Sequence, residues 1–330
     1  MLASEPPFIN KYVPLFNDPR VEFRHPEEVR ECELPLIDLA ALGSSFEAAE
    51  SETRAEIVKA ATEWGFFQVV NHGISRQLLE EMTREQMKVF GLPFEQKLGC
   101  ELLNDSYRWG TPTATCLKEF SWSEAFHIPL SKISEDVSAY GELASLREVI
   151  EKFAAAMSRL GRVLTEVLAE NLDRPKQFFY ENCTESTCFL RLNRYPPCQV
   201  SPQVFGLVPH TDSDFLTILY QDQVGGLQLM KDSKWVSVKP NPDALIVNIG
   251  DLFQAWSNGV YKSVEHKVMV NAVKERYSIA FFLCPSYDTM IASTKEPSIY
   301  RKFTFGQYRQ QVQEDVKNFG HKVGLPRFLL

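Results

Sequence analysis

Several kinds of segment are missing from this chain of 330 residues. No apolar run reaches the roughly 20 residues that a membrane-spanning helix needs. The start, MLASEPPFINKYVPLF, carries prolines and Glu5 where a secretory leader would have its apolar core, so it does not read as a signal peptide. There is no CxxC pair, and the 7 cysteines are odd in number and scattered. A chain of this length buries enough core to need no disulfide framework, and a reduced, cytoplasmic protein is the expectation. Positive charge is short: Lys plus Arg number 35 against 43 Asp plus Glu, a formal net charge of -8. Without a basic tail or stripe, nucleic acid is not the expected partner. No linker rich in Gly, Ser or charge divides the chain, and no internal repeat stands out.

The remaining composition, 44% hydrophobic and 24% charged, is that of a globular protein. ELPLIDL (33–39) alternates like a short strand. TRAEIVKAATEW (53–64) places Ile57, Val58 and Ala61 on one helical face. FFQVV (66–70) reads as a strand and NHG (71–73) as a turn. A helix capped by Ser75 should run to Phe90, with Pro93 as its limit. Residues 99–135 are loop-rich and aromatic, suited to a pocket wall, to a wrap on the core, or to both. A helical period runs from about Gly141 to Asn171, with Gly161 as a point of kinking or of close packing.

After residue 185 the texture changes. CFLRLNRY, DFLTILYQD, GLQLM, KWVSVK, ALIVNIG, EHKVMV and YSIAFFL are short β-prone runs separated by PP, GG, NPD and NG. That pattern predicts a sandwich or barrel in place of a Rossmann sheet. Thr304 and Gln307 are spaced as a capping box for a last helix over 304–318. The fold class expected is therefore α+β. A mostly helical amino-terminal region (1–184) would pack on a β core with its carboxy-terminal helix (185–330).

The chemistry-bearing residues lie in the second half. A strand repeats every two residues, so His210 and Asp212 in GLVPHTDSD share a face if 209–213 is extended. His266, 56 residues beyond His210, must come from another strand, as strands facing each other across a barrel permit. Two imidazoles and a carboxylate suit Fe(II) with open positions for a cosubstrate and dioxygen; Zn(II) in a hydrolase can use the same set. Arg276 and Ser278 also share a strand face. A guanidinium inside a pocket seeks a carboxylate, with Ser278 and the Tyr195 hydroxyl as further donors. The competing assignment for Arg276 is a surface salt bridge to Glu275 or Glu265.

NRYPPC (193–198), PHTDSDFLTIL (209–219), GGLQL (225–229), NIGDLFQAWSNGVYKSVEHKV (248–268) and ERYSIAFFLCP (275–285) together resemble the plant 2-oxoglutarate and Fe(II)-dependent dioxygenases. LPLIDL and WGFFQVVNHG are similar to that family's amino-terminal region, so the resemblance covers nearly the whole chain. It implies a double-stranded β-helix, or jelly roll, flanked by helices. It implies Fe(II), 2-oxoglutarate and O2 as cofactors, with iron ligands at His210, Asp212 and His266. The oxoglutarate clamp falls on Arg276 and Ser278, with Tyr195 assisting and Asn193 beside the keto acid.

Within the family, SYRWGTPTA (106–114) and SWSEAFHIPL (121–130) are similar to gibberellin 2-oxidases that act on C20 gibberellins. The implied reaction is 2β-hydroxylation of a diterpenoid carboxylic acid of the GA12 or GA53 type. Gibberellin 3- and 20-oxidases, other small-acid oxygenases and a gibberellin-binding protein on the same scaffold are the alternatives. Such a substrate needs an apolar wall, for which Trp109, Trp122 and Phe126 are candidates. It also needs a cation, for which Arg108, Lys118 and Arg191 are candidates.

Overall fold

Alternation of side chains along the carboxy-terminal strands divides them into an inner face that mixes polar and apolar groups around a cavity and an outer face that is largely apolar. The computed structural model describes residues 5–16, 29–43, 46–99, 106–133, 143–199, 204–293 and 295–330. Its helices are α1 (Phe8–Phe16), α2 (Glu47–Glu63), α3 (Arg76–Phe90), α4 (Phe94–Leu98), α5 (Leu130–Ile133), α6 (Ala144–Glu170), α7 (Asp251–Trp256) and α8 (Phe305–Phe319). Its strands begin with β1 (Glu31–Cys32), β2 (Leu36–Asp38), β3 (Phe66–Val70), β4 (Tyr107–Trp109), β5 (Glu124–Pro129), β6 (Phe189–Tyr195) and β7 (Phe205–His210). They continue with β8 (Leu216–Gln221), β9 (Leu227–Lys231), β10 (Lys234–Val238), β11 (Leu245–Ile249), β12 (His266–Met269) and β13 (Arg276–Leu283).

Two mixed sheets form the jelly roll. The larger runs β2-β3-β11-β8-β13-β6-β5-β4 and the smaller β1-β10-β9-β12-β7. Leu227, Leu229 and Val268 of the smaller sheet meet Tyr195, Phe66 and Ile246 of the larger in one apolar cluster, which holds the two sheets face to face. The first 184 residues do more than pack on this core. They contribute β2, β3, β4 and β5 to the larger sheet.

Strand β13 shows the division most plainly. Arg276, Ser278, Ala280 and Phe282 face a cavity between the sheets. Tyr277, Ile279, Phe281 and Leu283, the alternate set, belong to or pack against the main hydrophobic core. On that outer side α6 lies across the sheet. A methyl group at Gly161 would stand 3.5 Å from Phe281 and 3.8 Å from Ile218, ordinary contact distances. Gly161 thus marks the helix's close approach to β8 and β13; any larger side chain would lift it. Phe281 and Leu164 are fully buried there, each contributing about 1.5–3 kcal/mol by removal from water.

Other local expectations fare as follows. Ser75 caps α3 by accepting from the Leu78 amide at 3.2 Å. Thr304 and Gln307 form the reciprocal capping box of α8. The helix expected over 53–64 starts earlier, at Glu47. The strand expected over 33–39 shortens to Leu36–Asp38, because the Asp38 side chain caps a 3₁₀ turn at Leu39. The expected start of the long helix near Gly141 lies outside the described residues. No helix among them is long and apolar enough to cross a membrane.

Candidate metal centre and cavity

His210 closes β7 and His266 opens β12, and the two are paired across the smaller sheet. Their ring centroids are 4.3 Å apart. Asp212 does not extend β7 as the period-two reading supposed. The strand ends at His210, and Asp212 sits in the loop that follows. That loop docks on α7: the Asp251 amide donates to the Asp212 carbonyl at 2.9 Å, and the Leu252 amide to that of Asp214 at 3.1 Å. Backbone hydrogen bonds therefore do what strand alternation was expected to do. Asp212 Oδ1 lies 3.5 Å from His210 Nε2 and 3.7 Å from His266 Nε2. All three ligand atoms fall within 4.8 Å of one another, close enough to share one ion.

The donor set suits a ferrous ion in its protonation as well as its spacing. Nδ1 of His210 donates to the Val208 carbonyl (2.8 Å) and Nδ1 of His266 to that of Val264 (3.1 Å). Each bond leaves Nε2 with its lone pair turned toward the carboxylate. Burial, then the neighbouring His210, pushes His266 down to about 4, so it is neutral near pH 7. Burial alone would raise the Asp212 carboxyl, but His266, His210 and the Thr217 hydroxyl outweigh it and hold it well below the ordinary carboxylate range. Oδ2 of Asp212 accepts from Thr217 Oγ1 (2.6 Å) and Asn248 Nδ2 (2.8 Å), which leaves Oδ1 to the metal. Thr217 and Asn248 were not anticipated; their place on the inner faces of β8 and β11 is the signal that could have found them.

A cavity of about 400 Å³ opens from this triad between the sheets. Arg276 lies in it, 2% exposed, and its guanidinium lies 4.9 Å from the Tyr195 ring centroid. Nη2 donates to Gln221 Oε1 at 2.7 Å and Nη1 to Ser278 Oγ at 3.4 Å, while Nε has no partner. Among the described residues no carboxylate pairs with it, so the surface salt bridge weighed for Arg276 is not formed. Glu275 is instead engaged by Arg194 at 2.9 Å. Asn193 stands beside Ser278 and accepts from Arg191 Nε at 2.8 Å.

The comparisons with known proteins agree with this geometry. Residues 186–285 match the 2OG-Fe(II) oxygenase superfamily, and residues 34–152 match the amino-terminal region described as non-haem dioxygenase in morphine synthesis. The chain is 56% identical to gibberellin 2-beta-dioxygenase 8 of Arabidopsis thaliana over 91% of its own length and 88% of that protein's. It belongs to the 2-oxoglutarate/Fe(II)-dependent dioxygenases. The dioxygenase is also 56% identical to gibberellin 2-beta-dioxygenase 6 of Oryza sativa subsp. japonica, over 91% of its length and 86% of the relative's. Its fold matches the crystal structure of JOX2 in complex with 2OG, Fe and JA, with a TM-score of 0.74, 32% identity and 94% of each chain covered. The zinc-hydrolase reading of the same three ligands falls with this membership.

Of the substrate residues named from sequence, the dioxygenase brings only Arg191 to the cavity. Trp109 and Trp122 pack around α1, with ring centroids 5.5 and 4.6 Å from Phe8, in a separate aromatic cluster. Phe126 belongs to the main core, against Phe90 and Tyr107. Its neighbour His127 is the one on the cavity face, because one step along a strand reverses the side. Arg108 is exposed and donates to the Tyr107 carbonyl, and Lys118 is exposed on a 3₁₀ turn. The aromatic segment 106–129 is thus a wrap for most of its length and a pocket wall at His127. The helix over 304–318 borders the cavity through Phe305, Arg309, Val312 and Gln313, and Leu325 beyond it is buried in the core.

His127 stacks on Phe189 at 3.9 Å, and Phe189 stacks on Phe282 at 4.3 Å. Burial, then Arg191, Arg309 and Arg108, pushes His127 down from 6.5 to about 4. Between those values the unfolded chain binds the proton and the folded one does not. Stability from this site is therefore complete above pH 6.5 and falls as pH drops toward 4. Unfolding at pH 5 should take up close to one proton here. A His127→Phe variant should show a flatter decline in melting temperature between pH 7 and 5 than the parent; an unchanged decline would contradict the assignment.

Proposed function

We propose that this dioxygenase hydroxylates C2, on the β face, of gibberellins that retain C20, and so inactivates them. The observation that carries the reading is the match to gibberellin 2-beta-dioxygenases along nearly the whole chain. The cavity supports it. Leu219, Val268 and the Phe189–Phe282 stack offer an apolar wall, and Arg191 and Arg309 border it with no carboxylate partner among the described residues. A rigid diterpenoid acid needs both surfaces.

His210, Asp212 and His266 would hold Fe(II), which with O2 and 2-oxoglutarate supplies the oxidising power to hydroxylate an unactivated C–H bond. Arg276 and Ser278 would take the far carboxylate of 2-oxoglutarate by charge-assisted hydrogen bonds, while Tyr195 backs the guanidinium and Asn193 borders the keto acid. Gln221 keeps the guanidinium in one orientation. Arg191 and Arg309 orient the substrate through its carboxylates, and the stacked rings exclude water from its apolar face. The described cysteines are all unpaired, which supports a cytoplasmic setting.

Mass spectrometry of products from GA12, GA53, GA4 and GA9 tests the reading. One oxygen added at C2 of the C20 acids is expected. Loss of C20 would establish a 20-oxidase and oxygen at C3 a 3-oxidase. Binding without any turnover would establish the binding-protein alternative. Replacement of Arg309 or Arg191 by Ala should raise KM for the acid about 10- to 100-fold, the cost of one charged hydrogen bond. Iron affinity in both variants should stay at the parent value.

A further inference from the structure

Three separate stretches of chain meet at one ammonium group. Lys322 follows α8, and its Nζ donates to the Thr211 carbonyl (2.8 Å) and Ser213 Oγ (2.9 Å) and pairs with Asp251 Oδ2 (2.7 Å). An ammonium has three N–H donors, and these acceptors use all three. Lys322 borders the cavity, yet it has no donor left for a substrate carboxylate. Its two loop acceptors stand on either side of Asp212. Asp251 completes the arrangement: its amide donates to the Asp212 carbonyl, and its Oδ2 also accepts from Thr211 Oγ1 (3.0 Å) and from the Tyr308 hydroxyl. The chain then turns back at Gly324, with φ +75°. A side chain there would stand 3.3 Å from Asp251 Oδ2 and 3.1 Å from Lys322 Cε, so the turn leaves just the room the pair needs.

We propose that Lys322 is a positioning residue of the iron site, which clamps residues 211–213 so that Asp212 Oδ1 stays on the two imidazoles. The segment after α8 carries no ligand, yet metal affinity depends on it. Asp212 needs this support because it lies in a loop, where no strand ladder holds it; His210 and His266 are held by strand pairing. The inference rests on the reading of the triad as the iron site.

The test is an anaerobic titration of the full-length protein with Fe(II) in the presence of 2-oxoglutarate, read by visible charge-transfer absorption without turnover. Lys322→Met should bind Fe(II) about 10- to 100-fold more weakly than the parent, the range for partners of metal ligands. Lys322→Arg should recover part of that loss. KM for 2-oxoglutarate at saturating iron should change less than about threefold. Lys322→Gln, which keeps two N–H donors, serves if the methionine variant does not fold. A merely structural role would lower the melting temperature of the metal-free protein and leave the Fe(II) Kd within about twofold of the parent; that result overturns the proposal. Parent protein that binds no Fe(II), or an Asp212→Ala variant that binds it normally, would instead overturn the iron-site reading and the inference with it.

Discussion

Asp212→Ala is expected to form no succinate from 2-oxoglutarate, with or without substrate, and to bind Fe(II) at least roughly a thousandfold more weakly, beyond the range seen for partners of metal ligands. The carboxylate is the only anionic ligand of the three, and it is ionised and aimed before any metal arrives. Removal leaves two imidazoles and no anionic ligand, too few donors to hold the ion tightly. The same change leaves the Asn248 amide without its acceptor, at a cost of about 1–3 kcal/mol for a buried group left unpaired, whereas the Thr217 hydroxyl keeps Asp214 Oδ2 at 2.9 Å. The variant should therefore also melt lower in the metal-free state. Succinate assayed against Fe(II) concentration separates the two effects, because excess iron cannot restore a missing ligand. Parent-level succinate at any iron concentration would remove Asp212 from the site.

Arg276→Ala is expected to raise KM for 2-oxoglutarate about 30-fold or more, in keeping with the 2–5 kcal/mol for truncation of one partner of a buried charge pair. Turnover at saturating cosubstrate should fall far less, since in the proposed arrangement Arg276 would touch the end of 2-oxoglutarate remote from the metal. Arg276→Lys should recover only part of the loss. A point ammonium lacks the fork that spans a carboxylate, and it offers no planar group to the Tyr195 ring, whose centroid lies 4.9 Å from the guanidinium. Steady-state kinetics with 2-oxoglutarate varied checks both variants. An unchanged KM would mean that the unpaired Nε of Arg276 awaits some other ligand.

Much of the site was legible because strands advertise themselves in one dimension. Arg276 and Ser278, Asn193 and Tyr195, and His266 and Val268 are pairs two residues apart, and each pair faces the cavity. The same rule misled at Asp212, which stands two residues from His210 but beyond the end of β7. It is placed by hydrogen bonds to α7 that no local pattern announces. The aromatic residues at 109, 122 and 126 were legible as a cluster and illegible as to place. Whether a tryptophan meets a ligand or meets α1 depends on how residues 8–16 fold back, a contact about a hundred residues long in sequence. Arg309, Gln221 and Lys322 lie in none of the motifs, and Asp251 lies in one that does not announce its role. Gln221, Asp251 and Lys322 become visible only when partners 40 to 111 residues away are brought beside them, and Arg309 only when α8 is laid along the cavity.

The amino-acid sequence alone determined the class of fold, the three metal ligands and the arginine that faces them. Hydrophobic period and turn chemistry act over a few residues, and the family's motifs are contiguous. Only the tertiary structure decided which side chains close the cavity, which cations remain unpaired and which lysine steadies the metal loop. Those properties arise from packing between distant segments, where the cost of an unsatisfied buried group is settled by neighbours that the chain order does not reveal.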